Sequence, residues 1–185
     1  IQAALRWLAA HQSPSGAWFS SPNDNKHAAS MTGYTLMAFL VSGHLPDEGE
    51  HRNTVSLALR FLLDAVQPDG TLKNIDGKSY MYSHGIVTTA LANLYGQAHD
   101  PAVRTELERM VRVILSAQTP QGGWRYQPRP KDADISVTVL QLVALRAAKN
   151  AGLDVPQEAI DRAVAYVRSC HHPNSGGFTY QPGRG

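Results

Sequence analysis

The 185-residue sequence contains a single cysteine, Cys170, which excludes an internal disulfide and any Cys-x-x-Cys zinc-ligand pair. His171 and His172 follow it directly, but three adjacent residues do not converge on one metal without distant partners, so a surface at a helix end is expected there. No apolar run reaches the ~20 residues of a membrane span. Charged residues make up 17% and the formal net charge is +2. Lys and Arg are scattered, so the sequence carries neither a nucleic-acid stripe nor a polybasic membrane patch. Aromatics are scarce at 8%, whereas apolar residues reach 43%, the balance of an ordered globular chain of one domain. Ile1 is not a start methionine and lies inside a helical pattern. A missing true N-terminus is therefore expected, which leaves targeting and membrane attachment to segments outside the chain.

What is present is a repeat. The stretch GGWRYQP at 122–128 returns as GGFTYQP at 176–182, and the first glycines of these stretches extend a series, Gly16, Gly70, Gly122 and Gly176, with intervals of 54, 52 and 54 residues. A large apolar residue stands two positions after each: Trp18, Leu72, Trp124 and Phe178. Gln12, Gln67 and Gln118 come shortly before three of them, and Arg6, Arg60 and Arg112 keep the same period upstream. The repeats run over about 1–43, 49–96, 101–152 and 156–185 of a single domain.

Each unit holds two helical segments of different character. Before the turn the pattern is amphipathic: Leu107, Met110, Val111, Ile114 and Leu115 form one stripe, opposed by Arg104, Glu108, Arg109 and Arg112. Ile160, Ala163, Val164 and Val167 repeat it. After the turn the segments MTGYTLMAFLVSG, HGIVTTALANLYG and ISVTVLQLVALRAAKNAG are apolar or small almost all round, and a helix of that kind is expected to be buried on every side. Gly43, Gly96 and Gly152 stand where such helices are capped. Amphipathic helices alternating with buried ones predict two layers, outer around inner, in an all-α toroid or an arc of one. Seven helices are expected, four outer and three inner.

Gln12-Ser-Pro-Ser-Gly16-Ala-Trp18 and Gln118-Thr-Pro-Gln-Gly122-Gly-Trp124 resemble the Gln-x-x-x-Gly-x-Trp (QW) repeat of squalene cyclases. The glycine-pair turns are similar to those of protein prenyltransferase β subunits, and the likeness covers essentially the whole chain. The resemblance is to the bacterial prenyltransferase/squalene-oxidase-repeat proteins. It implies an α/α toroid in which the Gln, Gly and aromatic side chains staple neighbouring helices. A closed ring of this kind needs more helix pairs than these repeats supply, so a fragment of a larger toroid is expected.

The resemblance also implies a ligand site in the ring centre, near the N-termini of the inner helices, where backbone N–H groups suit anions such as diphosphates. Those N-termini read NKHAASMTG (25–33), YMYSHGIV (80–87) and KDADISVT (131–138). Squalene–hopene cyclases have Asp-x-Asp-Asp-Thr-Ala at the third, with the middle acid protonating the substrate. On that pattern Asp132 and Asp134 are the first two acids and Asp134 takes the proton-donor place. Ile135 replaces the third acid and Ser136 the threonine. From the residues alone, Asp134 also reads as a helix N-cap. His84 is a candidate ligand, general base or buried hydrogen-bonded residue. Tyr82, Ser136, Tyr34 and His27 are candidate ligand contacts. In zinc prenyltransferases this stretch carries an Asp-x-Cys ligand pair, but Asp134 stands at the cysteine position, so neither a metal nor another cofactor is expected. Two readings follow. One is a terpenoid-cyclase or prenyltransferase-like protein binding an apolar isoprenoid ligand, with Asp134 as acid beside Asp132 and His84. The other is a non-catalytic toroid scaffold that binds a ligand or a protein. Inner segments offering few aromatics besides Tyr34, Phe39, Tyr82 and Tyr95 favour the second. The period also sets a register past the second loop: Gly183, Arg184 and Gly185 fall on Arg129, Pro130 and Lys131, one step before Asp132.

Overall fold

The computed structural model describes residues 1–21, 25–75 and 80–183. Arg184 and Gly185, used above to set the register, lie outside the described residues. Seven helices are present among these residues: α1 (Gln2–Ala10), α2 (Ala28–Val41), α3 (Arg52–Ala65), α4 (Tyr80–Ala98), α5 (Pro101–Ser116), α6 (Ile135–Asn150) and α7 (Gln157–Ser169). Strand pairing is limited to isolated bridges. The inner helices stand side by side, α2 against α4 and α4 against α6, while α3, α5 and α7 pack behind them. This is the two-layer, all-α order of a toroid.

Local sequence explains the outer layer. Asp100 caps α5 by accepting from the Ala102 N–H at 2.8 Å, and Pro101 occupies the first turn, where its missing N–H costs nothing. Val103, Leu107, Met110, Val111 and Ile114 form the buried stripe, and each large side chain fully buried there contributes about 1.5–3 kcal/mol. Arg104 pairs with Glu108 on the wet face.

Of the inner helices, α4 is buried as expected and α2 and α6 depart from expectation. Met31, Tyr34 and Val41 on α2, and Val139 and Val143 on α6, are all more than a third exposed. These helices are the two end members of the inner row, each with α4 on one side only, whereas α4, packed between them, exposes no large apolar side chain. Gly43 and Gly152, with φ of 83° and 89°, follow α2 and α6 as expected. Gly96 does not end α4, which runs on to Ala98, and His99 takes the left-handed conformation instead (φ 53°). Histidine is one of the residues that tolerates that region, and its ring lies against Tyr95.

The turns show why the glycines recur. Gly122 has φ 93°, and a Cβ there would stand 2.4 Å from the Arg162 carbonyl oxygen of α7. Gly16 and Gly70 meet the backbone of α3 and α5 in the same way. Gln118 Nε2 donates to Gly122 O and Ala159 O, both at 2.8 Å, and Gln12 Nε2 does the same to Gly16 O and Thr54 O at 2.9 Å. These glutamines therefore bridge to the next outer helix. Gln67 sits one residue closer to its glycine and donates to Thr71 within its own turn. Trp18 and Trp124 are buried with indole N–H groups on Leu8 O and Ile114 O. Phe178 is 58% exposed, with its ring edge-on to His171. Cys170 also departs from expectation: it is fully buried, packed with Ala133 and Tyr166 beneath the end of α7, not at its surface.

Candidate functional site

The two copied loops converge on the N-terminus of α6. Trp124 O accepts from Asp134 N–H at 3.0 Å, and Tyr180 O accepts from Ile135 N–H at 3.0 Å. One period earlier, Tyr126 O accepts from Met81 N–H at 3.1 Å, holding the start of α4 in the same way. Each loop thus closes over the start of an inner helix, the first over α4 and the second over α6. The loop tyrosines are carried to the same place, and the Tyr126 and Tyr180 hydroxyls are hydrogen-bonded to each other.

Asp134 lies inside this frame with no exposed surface. As the α6 N-cap its Oδ1 accepts from the Val137 N–H at 3.0 Å and from the Ser136 hydroxyl at 2.6 Å. Its Oδ2 is buried with no hydrogen-bond partner. The Tyr82 hydroxyl reaches Ser136 Oγ at 2.5 Å, and its ring stacks on Tyr126 with centroids 6.0 Å apart. Burial raises the Tyr82 pKa, so it stays a hydrogen-bond donor. Burial, the Tyr126 hydrogen bond, the Asp134 charge and a hydrogen-bonding interaction with Asp134 all raise that of Tyr180. Its hydroxyl therefore stands close to the carboxyl, although no donor meets Oδ2 in bonding geometry. Behind the acid, burial raises the Tyr166 and Cys170 pKa values, and the Asp134 charge adds to both.

Asp132 is not a second buried acid beside Asp134. Its side chain is half-exposed and bound to Arg125 at 2.9 Å and to Gln181 Nε2 at 3.1 Å. Arg125 lies over the faces of both Tyr126 and Tyr180, 4.9 Å and 5.8 Å from their centroids. The ion pair closes the first loop on itself, and the second loop is tied to it by the Gln181 amide on Asp132 and the Tyr180 ring under Arg125.

His84 is not brought to Asp134. It is fully buried, its ring lies edge-on to Tyr80, and neither ring nitrogen has a hydrogen-bond partner among the described residues, unlike the buried hydrogen-bonded histidine expected as one of its three roles. Burial lowers its pKa to about 4. The reason is helical geometry: His84 is two residues from Tyr82, on a different face of α4. Its register is that of Thr32 and Thr138, whose hydroxyls accept from the Trp18 and Trp124 N–H groups. In the middle turn that part falls to Tyr80, whose hydroxyl accepts from Leu72 N–H at 2.9 Å. Tyr34 is exposed on α2 and His27 is exposed at the start of that helix. Neither is among the groups described around Asp134.

The aromatics counted as lining also change. Phe39 is fully buried in the core, and Tyr95 is buried with its hydroxyl on Arg104 of α5. Tyr126 and Tyr180 instead join Tyr82 beside the acid. Both lie in the copied loops, whose repetition is the sequence signal that marks them. The described residues contain no group of three or more His, Cys, Asp or Glu able to hold a metal. The arrangement is a buried carboxyl with one saturated and one unpartnered oxygen, ringed by phenols, at the end of an apolar inner wall.

A family model described as the prenyltransferase alpha-alpha toroid domain matches residues 1–185. A drimenyl diphosphate synthase of Streptomyces showdoensis is 25% identical over 183 residues, covering 98% of this chain and 32% of that protein. A drimenyl diphosphate synthase of Streptantibioticus cattleyicolor is 27% identical over 187 residues, again 98% of this chain and 32% of the relative. The chain thus spans about a third of the length of these relatives.

Proposed function

The chain belongs to the prenyltransferase alpha-alpha toroid family, and on that premise we propose that it forms part of a terpenoid cyclase in which Asp134 protonates an isoprenoid chain to start ring closure. The observation that carries this reading is the state of the Asp134 carboxyl, buried, with two donors on Oδ1 and none on Oδ2. In the proposed step Oδ2 gives the proton to the substrate, and the two donors on Oδ1 stabilise the carboxylate left behind. The exposed apolar side chains Met31, Tyr34, Val139 and Val143 supply a surface for the hydrocarbon. The relatives' names specify a diphosphate product, so the substrate proposed here is a linear isoprenyl diphosphate.

The test uses the full-length protein with geranyl, farnesyl and geranylgeranyl diphosphate, analysing products by gas chromatography–mass spectrometry. Cyclic product from the parent and none from Asp134→Asn of equal helicity supports the reading. Undiminished product from Asp134→Asn overturns it. A second reading, a non-catalytic ligand-binding toroid, is favoured by Ile135, an apolar residue where the cyclase pattern has its third acid. Under that reading an isoprenoid is recovered bound and unchanged.

A further inference from the structure

We propose that Tyr82, acting through Ser136, is a positioning residue that strengthens Asp134 as an acid. The proposal rests on Asp134 being the acid. Ser136 has one hydroxyl hydrogen, and it points to Asp134 Oδ1 at 2.6 Å. Ser136 Oγ can therefore meet Tyr82 Oη at 2.5 Å only as an acceptor. The hydrogen bonds run in one direction, from Tyr82 to Ser136 to Asp134, and the Val137 N–H joins them at Oδ1. Donors aimed at one carboxylate oxygen favour the ionised form and leave the transferable proton on the other. A donor polarised by a second donor is a stronger one.

The wire is found where the acid is. Tyr82 and Ser136 lie 54 residues apart, at the same register of adjacent inner helices. At that register α2 carries Ser30, which donates to His27 O of its own helix. The register of Asp134 holds Ala28 in α2 and Tyr80 in α4, so neither of those helices presents an acid there. Stacking on Tyr126 fixes the Tyr82 ring. The other titratable groups around Asp134 are engaged elsewhere or lie behind it: Asp132 pairs with Arg125, Tyr126 with Tyr180, and Tyr166 and Cys170 pack from α7. None of them donates to Oδ1.

The experiment measures kcat and KM against pH for the full-length protein with farnesyl diphosphate, comparing Tyr82→Phe, Ser136→Ala and Ser136→Thr with the parent. Turnover needs the protonated acid, so activity falls as pH rises through its titration. Without the wire the carboxyl holds its proton more tightly. Tyr82→Phe and Ser136→Ala are expected to lower kcat about ten- to a hundredfold and to move the falling limb to higher pH. KM should change less than about threefold, and Ser136→Thr, which keeps the hydroxyl, should restore both limb and rate. Unchanged kcat and limb in Tyr82→Phe overturn the proposal, as does a raised KM at constant kcat, which makes Tyr82 a ligand contact. Activity in Asp134→Asn refutes the acid reading itself, whereas an inactive Asp134→Asn beside a parent-like Tyr82→Phe refutes only the wire. Infrared titration of the carboxyl band that Asp134→Asn removes reads the same effect without turnover: a higher midpoint in Tyr82→Phe supports the wire, and coincident midpoints overturn it.

Discussion

The hydroxyls of Tyr126 and Tyr180, 54 residues apart, are hydrogen-bonded to each other. They come from the two copied loops, so one period of the chain becomes one contact between them. Because both rings are partly wet, the bond is worth about 0.5–1.5 kcal/mol. A double-mutant cycle of Tyr126→Phe and Tyr180→Phe in urea unfolding is expected to return a coupling in that range. Additive effects within about 0.3 kcal/mol would show that the pair does not tie the loops.

Gly122→Ala is expected to be far more costly than Gly152→Ala, although both have φ near 90°. At Gly122 the added Cβ collides with the Arg162 backbone, whereas nothing lies within 4 Å at Gly152. The strained conformation alone costs about 1–3 kcal/mol. Equal losses of thermal stability in the two variants would mean that the close approach to α7 does not matter.

Trp124 and Phe178 occupy matching places in the copied loops but differ in burial. Trp124→Ala should destabilise by about 3–5 kcal/mol, since the ring is fully buried and its N–H is bonded to Ile114 O at 2.7 Å. Phe178→Ala should stay within about 0.5 kcal/mol of the parent. Chemical denaturation of the two variants checks the contrast, which fails if Phe178→Ala proves comparably damaging.

His84 makes stability depend on pH. Its folded pKa of about 4 lies below the ordinary 6.5 because burial disfavours the charged ring. Between those values the unfolded chain binds a proton that the folded chain does not. The stability is complete above the unfolded value and is lost as pH falls toward the folded one, by roughly 3 kcal/mol at most. His84→Leu should flatten unfolding free energy between pH 6.5 and 4 relative to the parent. An unchanged slope would assign the effect to other groups.

Much of the architecture was legible in the letters because it is written at short range. The stripe from Val103 to Ile114 and the cap at Asp100 depend on residues within a few turns of one helix. The recurrence of Gly16, Gly70 and Gly122 records where the next outer helix crosses. The same reasoning misplaced Gly96, because α4 continues beyond it, and grouped Gln67 with Gln12 and Gln118 although it lies one residue out of step. At the site, the sequence singled out Asp134 but joined it to His84 and Asp132. The fold turns His84 into the core and binds Asp132 to Arg125.

The sequence alone was enough for the period, the alternation of helix types and the acid at the start of α6, since each depends on local spacing. Which side chains surround that acid was settled by stacking one repeat on the next. Tyr82 meets Ser136 and Tyr126 meets Tyr180 across 54 residues, and such contacts depend on the rotation of one helix against its neighbour. A hydrophobic pattern leaves that rotation open, and it is closed only when both layers pack around the glycines at the turns.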